Sequence, residues 1–202
     1  MRASSHRRMK PGVKQTGASS VNGYYSSMAL YELDGKRPSV AQGAFIAPTS
    51  SLIGDVVVEE DASVWFGAVI RADFDRIVVG AGATIQDNSV IHCGPGMPTL
   101  IAPEVTIGHG ALLDSCTIEN GALIGSGAVI LHRALVGAGC LVAAGSVVME
   151  GQICPPGVLM AGVPATIRET IGTSAINWLA SSGPEYRRIL RRYGTLVEIT
   201  PS

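Results

Sequence analysis

Aliphatic residues recur at every sixth position over most of this 202-residue chain, and this period limits the fold more than any other feature. The series comprises Ile46, Leu52, Val58, Val64 and Ile70, then Val79, Ile85 and Ile91, and finally Leu112, Ile118, Ile124, Ile130, Val136, Val142 and Val148. Small residues mostly follow four places later. A period of six fits neither a helix nor a half-buried strand, but it fits short strands on three sides of a triangular coil, about 18 residues per turn. We therefore predict an all-β solenoid, a parallel β-helix of hexapeptide repeats, from about residue 40 to about residue 160.

Composition agrees with a thin solenoid and excludes several functions. Aromatic residues make up 5% of the chain and glycine contributes 25 residues, as expected where small aliphatic side chains fill a narrow core. The net charge of −1 gives no electrostatic footprint for nucleic acid. No apolar run is long enough to span a membrane. The cysteines lack CxxC spacing, so we expect reduced thiols and a cytoplasmic compartment: Cys93, Cys116, Cys140 and Cys154.

The ends of the chain depart from the repeat. Residues 1–27 carry Arg and Lys but no acid, which predicts a disordered tail or upstream sequence before a start at Met28. An organelle transit peptide is the alternative interpretation of such a segment. We expect the β-helix over residues 28–166 and a C-terminal helix and tail over residues 167–202. The helix is predicted at 174–193, divided by Pro184, and either packs along the coil or caps its end.

Two breaks in the period and three histidines point to a site on the outside of the coil. Residues 71–78 slip the register and residues 92–99 form a Gly/Pro loop, and such breaks often mark a binding face. None of the coil histidines occupies an inward place: His92, His109 and His132. Asp114 lies five residues after His109, around one corner, and 18 residues before His132, one turn below. A cluster is therefore expected around Asp114.

Three segments together resemble the γ-class carbonic anhydrase family. They are residues 64–73 (Val-Trp-Phe-Gly-Ala-Val-Ile-Arg-Ala-Asp), residues 85–92 (Ile-Gln-Asp-Asn-Ser-Val-Ile-His) and residues 106–118 (Thr-Ile-Gly-His-Gly-Ala-Leu-Leu-Asp-Ser-Cys-Thr-Ile). The resemblance covers most of residues 28–193. It implies a left-handed coil, a homotrimer, and metal sites between neighbouring subunits, each bound by three histidines.

The ligand set that the resemblance implies departs from three histidines. His92 and His109 match two of the family's ligands, whereas the third position falls on Asp114. His132 stands where the family often has Asp, so it is the alternative third ligand. Zinc is the metal implied by the family. Two histidines and one carboxylate are also typical of non-haem iron, so Fe²⁺ or Co²⁺ are the alternatives.

Further residues match the family's motifs. Arg71 and Asp87 correspond to a pair that bridges subunits, while Asp73, Gln86 and Tyr186 match positions in its active site. Residues 92–99 contain no Glu, so the chain resembles the branch of the family with a shorter loop. A trimer is also expected from apolar residues at predicted outward places, such as Val90 and Leu113.

The resemblance implies reversible hydration of CO₂ to bicarbonate by a metal-bound hydroxide at a subunit interface. Two alternatives remain open. Residues 162–165 (Gly-Val-Pro-Ala) resemble the end of the coil in hexapeptide acyltransferases, which use acyl-CoA, so the fold does not decide between the two activities. A non-catalytic trimeric scaffold is the other alternative, favoured by Asp114 in place of histidine and by the missing Glu.

Overall fold

The structure, a computed structural model, describes residues 29–170 and 185–193 as a parallel β-helix followed by a short helix. This confirms the predicted left-handed coil of hexapeptide repeats. The strands are β1 (Ala29–Tyr31), β2 (Ser39–Val40), β3 (Phe45–Ile46), β4 (Ser51–Val58), β5 (Ser63–Val64), β6 (Val69–Val79), β7 (Thr84–Ile85), β8 (Val90–His92), β9 (Thr99–Ile101), β10 (Thr106–Ile107), β11 (Leu112–Asp114), β12 (Thr117–Ile118), β13 (Leu123–Ile124), β14 (Val129–Ile130), β15 (Leu135–Val136), β16 (Leu141–Val142), β17 (Val147–Val148), β18 (Ile153–Cys154), β19 (Val158–Gly162) and β20 (Ala165–Thr170).

The strands form three faces of a prism, and successive turns pair in parallel on each face. Face 1 contains β1, the first parts of β4 and β6, and then β8, β11, β14 and β17. Face 2 contains β2, the last parts of β4 and β6, and then β9, β12, β15 and β18. Face 3 contains β3, β5, β7, β10, β13, β16 and β19, and β20 returns antiparallel on its edge.

One aliphatic side chain per strand points into the coil, and these residues stack from turn to turn. On face 1 the inward column is fully buried and consists of Leu52, Ile70, Ile91, Leu113, Ile130 and Val148. Burying each such side chain contributes about 1.5–3 kcal/mol. The core is therefore a continuous apolar column, and its stability is expected to accumulate turn by turn.

The sequence prediction was wrong at one turn of this column. Leu112, taken as inward, is 39% exposed, whereas Leu113, taken as outward, is fully buried. Leu113 lies six residues after the inward Ile107 but only five before the inward Ile118. The corner between Leu113 and Ile118 is therefore one residue short, and counting back by sixes from Ile118 gave the wrong residue.

In the described part of the coil, irregular spacing occurs only at the corner between faces 1 and 2, once at the first turn, where Leu30 and Val40 are ten apart, and then on three consecutive turns. Inward residues are nine apart at Ile70 and Val79, ten apart at Ile91 and Ile101, and five apart at Leu113 and Ile118. We call residues 71–76, 92–98 and 114–116 the irregular corner. The breaks predicted at 71–78 and 92–99 fall in this corner, and they are stacked one above another.

Helix α1, residues 185–193, packs against face 3. Tyr193 and Tyr186 contact the ring of Trp65 edge-on, with centroids 4.9 and 5.3 Å apart, and Trp65 is 3% exposed. Arg187 Nη1 binds Glu104 Oε2 at 2.8 Å, which fixes the helix to the coil. The predicted stretch 174–184 lies outside the described residues. In the described ranges, no helix is long and apolar enough to cross a membrane.

Candidate metal centre

His92 is held between two carboxylates in the irregular corner. Its Nε2 lies 2.8 Å from Asp73 Oδ1, and its Nδ1 lies 3.2 Å from Asp114 Oδ2. Asp114 pairs directly with His92 across the β8–β11 ladder, which explains why their side chains meet. The imidazole is about one-fifth exposed, so it is accessible from the surface while its orientation is fixed.

Asp114 is the most heavily bonded side chain of this cluster. Ser115 Oγ donates to its Oδ1 at 2.8 Å, while Oδ2 faces His92 Nδ1 and, at 3.3 Å, His132 Nε2. Burial raises the pKa of the Asp114 carboxyl, but the hydrogen bonds from Ser115, His92 and His132 outweigh it and lower the pKa below its ordinary value. Asp114 is therefore an anion that can bind a cation.

The other carboxylate, Asp73, bridges His92 and Arg71. Arg71 Nη1 contacts Asp73 Oδ2, and the β6–β8 ladder places Arg71 beside His92. Burial raises the pKa of Asp73, but the hydrogen bond from His92 and the charge of Arg71 lower it overall. Phe74 covers the open side of His92 edge-on, with ring centroids 6.0 Å apart, although its side chain remains largely exposed.

Ser115 shapes the short corner that positions Asp114. Its backbone is left-handed, with φ of 53°, which a non-glycine residue adopts only at a cost. Gly94 N donates to Ser115 Oγ at 2.7 Å, and Ser115 N donates to Thr99 Oγ1 at 2.8 Å. These bonds compensate the strained conformation and tie the short corner to the Gly/Pro loop below it.

His109 lies at a different corner, between faces 3 and 1. Its backbone N–H donates to Gln86 Oε1 at 3.1 Å, and its Nδ1 lies 2.9 Å from Asp87 Oδ2. A carboxylate that accepts from Nδ1–H leaves Nε2 as the free lone pair, which is a common arrangement of metal-binding histidines. About half of the His109 side chain is exposed, so it is available to a neighbour.

Tyr186, from α1, approaches this second corner. Its hydroxyl lies 3.5 Å from His109 Nε2, at the outer limit of a hydrogen bond. Burial raises the pKa of the Tyr186 phenol, and the charge of Asp87 raises it further, so the hydroxyl stays protonated. Helix α1 thus brings one of the predicted active-site residues to His109.

One subunit therefore brings the predicted residues into two groups. Arg71, Asp73, His92 and Asp114 lie at the irregular corner with His132 on the next turn, and Gln86, Asp87, His109 and Tyr186 lie at the other corner. Within the described residues, no three His, Cys, Asp or Glu side chains are arranged to hold a metal ion. The described part of one subunit therefore presents these candidate ligands as two separate groups.

The donor atoms at the irregular corner nevertheless fit a divalent metal. Two ligands bound at about 2.0–2.2 Å, at angles of roughly 90–110°, lie about 3.0–3.5 Å apart. His92 Nδ1 and Asp114 Oδ2 are separated by 3.2 Å. An imidazole nitrogen and a carboxylate oxygen are also ligands that Zn²⁺ and Fe²⁺ accept. The irregular corner thus presents two donor atoms at a spacing that suits a divalent metal.

Sequence reasoning missed three residues that shape the centre. Ser115 and Thr99 bond to the backbone and side chains around Asp114, and Phe74 flanks His92. The five-residue interval between Leu113 and Ile118 was the available signal for Ser115. Phe74 already stood out as a large residue at a position where the repeat prefers a small one.

The cysteines belong to the core rather than to this centre. The four cysteines are free and buried: Cys93, Cys116, Cys140 and Cys154. Burial raises the pKa of Cys116 to about 12. Burial also raises the pKa of Cys93, and the neighbouring charges of Asp73 and Asp75 add to the increase. The Cys93 and Cys116 thiols are therefore protonated, and all four cysteines are packing residues of the coil.

Known proteins that are similar to this chain share its hexapeptide-repeat fold. Residues 115–149 match the family model described as bacterial transferase hexapeptide (six repeats). A solved structure from Anaplasma phagocytophilum, a hexapeptide transferase family protein, superposes with a TM-score of 0.79 at 41% identity. The match covers 82% of this chain and 98% of that chain. The protein is therefore a hexapeptide-repeat β-helix.

Curated relatives then identify the family. A carbonic anhydrase of Geobacillus kaustophilus is 43% identical over 164 residues, covering 81% of this chain and 86% of its own length. The mitochondrial γ carbonic anhydrase 2 of Arabidopsis thaliana is 38% identical over 75% of this chain. The chain spans only 56% of that plant protein. The chain belongs to the γ-carbonic anhydrase-like family of hexapeptide-repeat proteins.

Proposed function

We propose that this protein is a trimeric metalloenzyme that hydrates CO₂ reversibly, with each metal held between two subunits. The observation that carries the proposal is the position of the two ligand groups. His92 ends strand β8 and Asp114 ends β11, whereas His109 lies in the corner that precedes β11. The groups therefore occupy opposite edges of face 1. In a three-fold ring with face 1 turned toward the axis, one edge of each subunit meets the other edge of its neighbour.

The outward residues of face 1 support this arrangement. They form an apolar column of Val69, Val90, Leu112, Val129 and Val147. Val90 and Leu112 are each 39% exposed in one subunit. A contiguous apolar surface of this kind is a common mark of an interface. Face 2 also exposes Leu100, but it carries a ligand group on only one of its edges, the irregular corner that it shares with face 1.

Each metal would be bound by His92 and Asp114 of one subunit and by His109 of the partner subunit. When bound, the metal supplies a Lewis acid that activates water near neutral pH. Asp73 fixes the ring of His92, and Asp87 fixes the ring of His109. Gln86 is anchored through its Oε1, so its amide NH₂ remains a donor for substrate. Phe74 would supply an apolar wall beside an apolar substrate.

Asp114 is expected to lower the acidity of the activated water. A carboxylate ligand adds negative charge to the metal, whereas histidine is neutral, so the Lewis acidity of the centre falls. We therefore propose slow hydration of CO₂, with Zn²⁺ as the metal and Fe²⁺ or Co²⁺ as the alternatives. Asp114→His should increase both zinc affinity and hydration rate.

Metal content and CO₂ hydration test the proposal together. Protein purified without a chelating tag should contain about one divalent ion per subunit, since a three-fold ring has one such edge pair per subunit. The variants His92→Ala and His109→Ala should each lose the metal and the activity while the coil stays folded. Wild-type protein that binds no Zn²⁺, Fe²⁺ or Co²⁺ would contradict the proposal.

The trimer has its own test with a matched control. Leu112 and Leu100 are both leucines with 39% exposure, on face 1 and face 2 respectively. Leu112→Asp should convert the trimer into monomers in light scattering, because it places a charge in the apolar interface. Leu100→Asp should leave the trimer intact. The opposite result would assign the interface to face 2.

Acyl transfer from acyl-CoA is the second candidate, and the match to the transferase hexapeptide model favours it. A hexapeptide acyltransferase would bind acyl-CoA and would not need the metal. Saturable binding of acetyl-CoA by metal-free protein would support this alternative, and its absence would support CO₂ hydration. Absence of acetyl-CoA binding, together with absence of CO₂ hydration in a trimer supplied with Zn²⁺, Fe²⁺ or Co²⁺, would favour a scaffold.

The proposed compartment is the cytoplasm, because the four cysteines are free and buried. Import directed by residues 1–27, which lie outside the described residues, is the alternative. Fusion of residues 1–27 to a fluorescent protein separates the two, since only a transit peptide would carry the fusion into an organelle.

A further inference from the structure

Asp114 has its two carboxylate oxygens in different surroundings. Ser115 Oγ donates to Oδ1 at 2.8 Å, and the same hydroxyl accepts from Gly94 N at 2.7 Å. Oδ1 is therefore committed to the protein. Oδ2 is the oxygen that faces His92, so it is the one available for the metal of the proposed function.

A second imidazole reaches the same oxygen from the next turn of the coil. His132 Nε2 lies 3.3 Å from Asp114 Oδ2. The backbone around His132 is fixed on both sides, because Arg133 N donates to Ser115 O at 2.7 Å and Gly151 N donates to His132 O at 2.8 Å. The approach of His132 to Asp114 is therefore held by the regular pairing of turns.

We propose that His132 is a positioning residue, which holds Asp114 Oδ2 through an Nε2–H donor while that oxygen binds the metal. The inference rests on the proposed function. A carboxylate oxygen has two lone pairs, so it can bind a metal with one and accept from His132 with the other. Together, Ser115 and His132 hold both oxygens of the ligand from the side of the protein.

The same arrangement argues against His132 as a direct ligand. His92 and His132 both approach the same oxygen, Asp114 Oδ2, so the carboxylate is the group that joins the two imidazoles. The His132 side chain is also 44% exposed, twice the exposed fraction of Asp114, so it lies on the outer side of the cluster. Partners that orient metal ligands typically contribute 10–100-fold to metal affinity.

Cobalt binding by the metal-free trimer tests the proposal. We would titrate wild type, His132→Ala, His132→Gln and the control Glu150→Ala with Co²⁺, following the visible spectrum and the Kd. Glu150 lies on the next turn of the same corner and pairs with Arg133. His132→Ala should weaken binding about 10–100-fold, with the cobalt spectrum of an unchanged ligand set. His132→Gln, which keeps an N–H donor, should recover most of this loss, and Glu150→Ala should bind like wild type.

Two outcomes would contradict the positioning role of His132, and a third would contradict the proposed metal centre itself. If His132→Ala binds Co²⁺ as tightly as Glu150→Ala, His132 does not position the ligand. If His132→Gln is as weak as His132→Ala and X-ray absorption shows one imidazole fewer on the metal, His132 is a ligand instead. If wild-type protein binds no Co²⁺, it is the proposed metal centre that fails. Light scattering and thermal unfolding of each variant exclude loss of the trimer as the cause.

Discussion

Two corners of the same coil are built from the same repeat but carry different candidate ligands of the proposed centre. At the corner between faces 3 and 1, inward residues are six apart on successive turns, as at Ile85 and Ile91 or Ile107 and Leu113. At the irregular corner the intervals are nine, ten and five on three consecutive turns. His109 lies at the regular corner, whereas His92 and Asp114 lie at the irregular one.

The comparison shows how a solenoid gains a site without losing its core. Insertions and a deletion at one corner redirect the outward side chains, while the inward column from Leu52 to Val148 stays in register. Each turn contacts only its neighbours, so local changes at a corner need not disturb the rest of the coil. The stability and the chemistry of this protein should therefore respond to different substitutions.

The largest effect on stability is expected in the regular part. Ile124 is fully buried on face 3, so Ile124→Ala should reduce the free energy of unfolding by about 2–5 kcal/mol. Metal binding per folded trimer should be unchanged. Asp114→Ala should show the reverse pattern, with loss of metal and a loss of stability smaller than that of Ile124→Ala. Urea unfolding measures the stability of both variants, and metal analysis measures their metal content. Equal loss of metal in both variants would show that stability and metal binding do not respond to different substitutions.

Substitution of Ser115 is expected to change both the stability of the fold and the binding of metal. Ser115→Ala removes the hydroxyl that binds Asp114 and Gly94 and keeps the strained left-handed backbone. We expect a loss of about 1–3 kcal/mol together with weaker metal binding. Ser115→Gly should be more stable than Ser115→Ala because glycine adopts positive φ freely, yet its metal binding should be equally weak. Equal stability of the two variants would show that the backbone is not strained.

Acid should destabilise the metal-free protein through the irregular corner. The pKa of Asp114 is lower in the folded protein than its ordinary value of 3.8. Its stabilising contribution is therefore fully present above about pH 4 and is lost as the pH falls through the folded pKa. Asp114→Asn should be less stable than wild type at pH 6 and lose less stability below pH 4. Parallel acid unfolding curves for the two proteins would contradict this assignment.

The repeat and its faces could be predicted from the sequence because each inward position carries one strong signal, an aliphatic residue every six places. The error at Leu112 and Leu113 arose because both are leucines, so a one-residue deletion leaves the apolar pattern almost unchanged. The proximity of Asp114 to His132 was expected from their spacing, and they lie 3.3 Å apart. The bonds of Ser115 could not be predicted, since they depend on a left-handed corner.

The candidate site residues were chosen from the motifs, whereas their division between two corners is seen only in the fold. His109 and Asp114 are only five residues apart in sequence, yet they flank opposite ends of strand β11 (Leu112–Asp114). Spacing along the chain cannot tell whether such residues meet within one subunit or across two. In the described part of one subunit the candidate ligands stay in two groups, which is why we propose a centre shared between subunits.

Mixing two inactive variants tests this claim most directly. His92→Ala and His109→Ala should each form trimers that bind no metal at the centre. Trimers reassembled from an equal mixture should regain about a quarter of the wild-type metal content, because each mixed trimer contains one interface with both ligand groups intact. Metal analysis of the mixture, with each variant alone as control, gives the result. No recovery in mixed trimers, or full metal content in either variant alone, would contradict a centre shared between subunits.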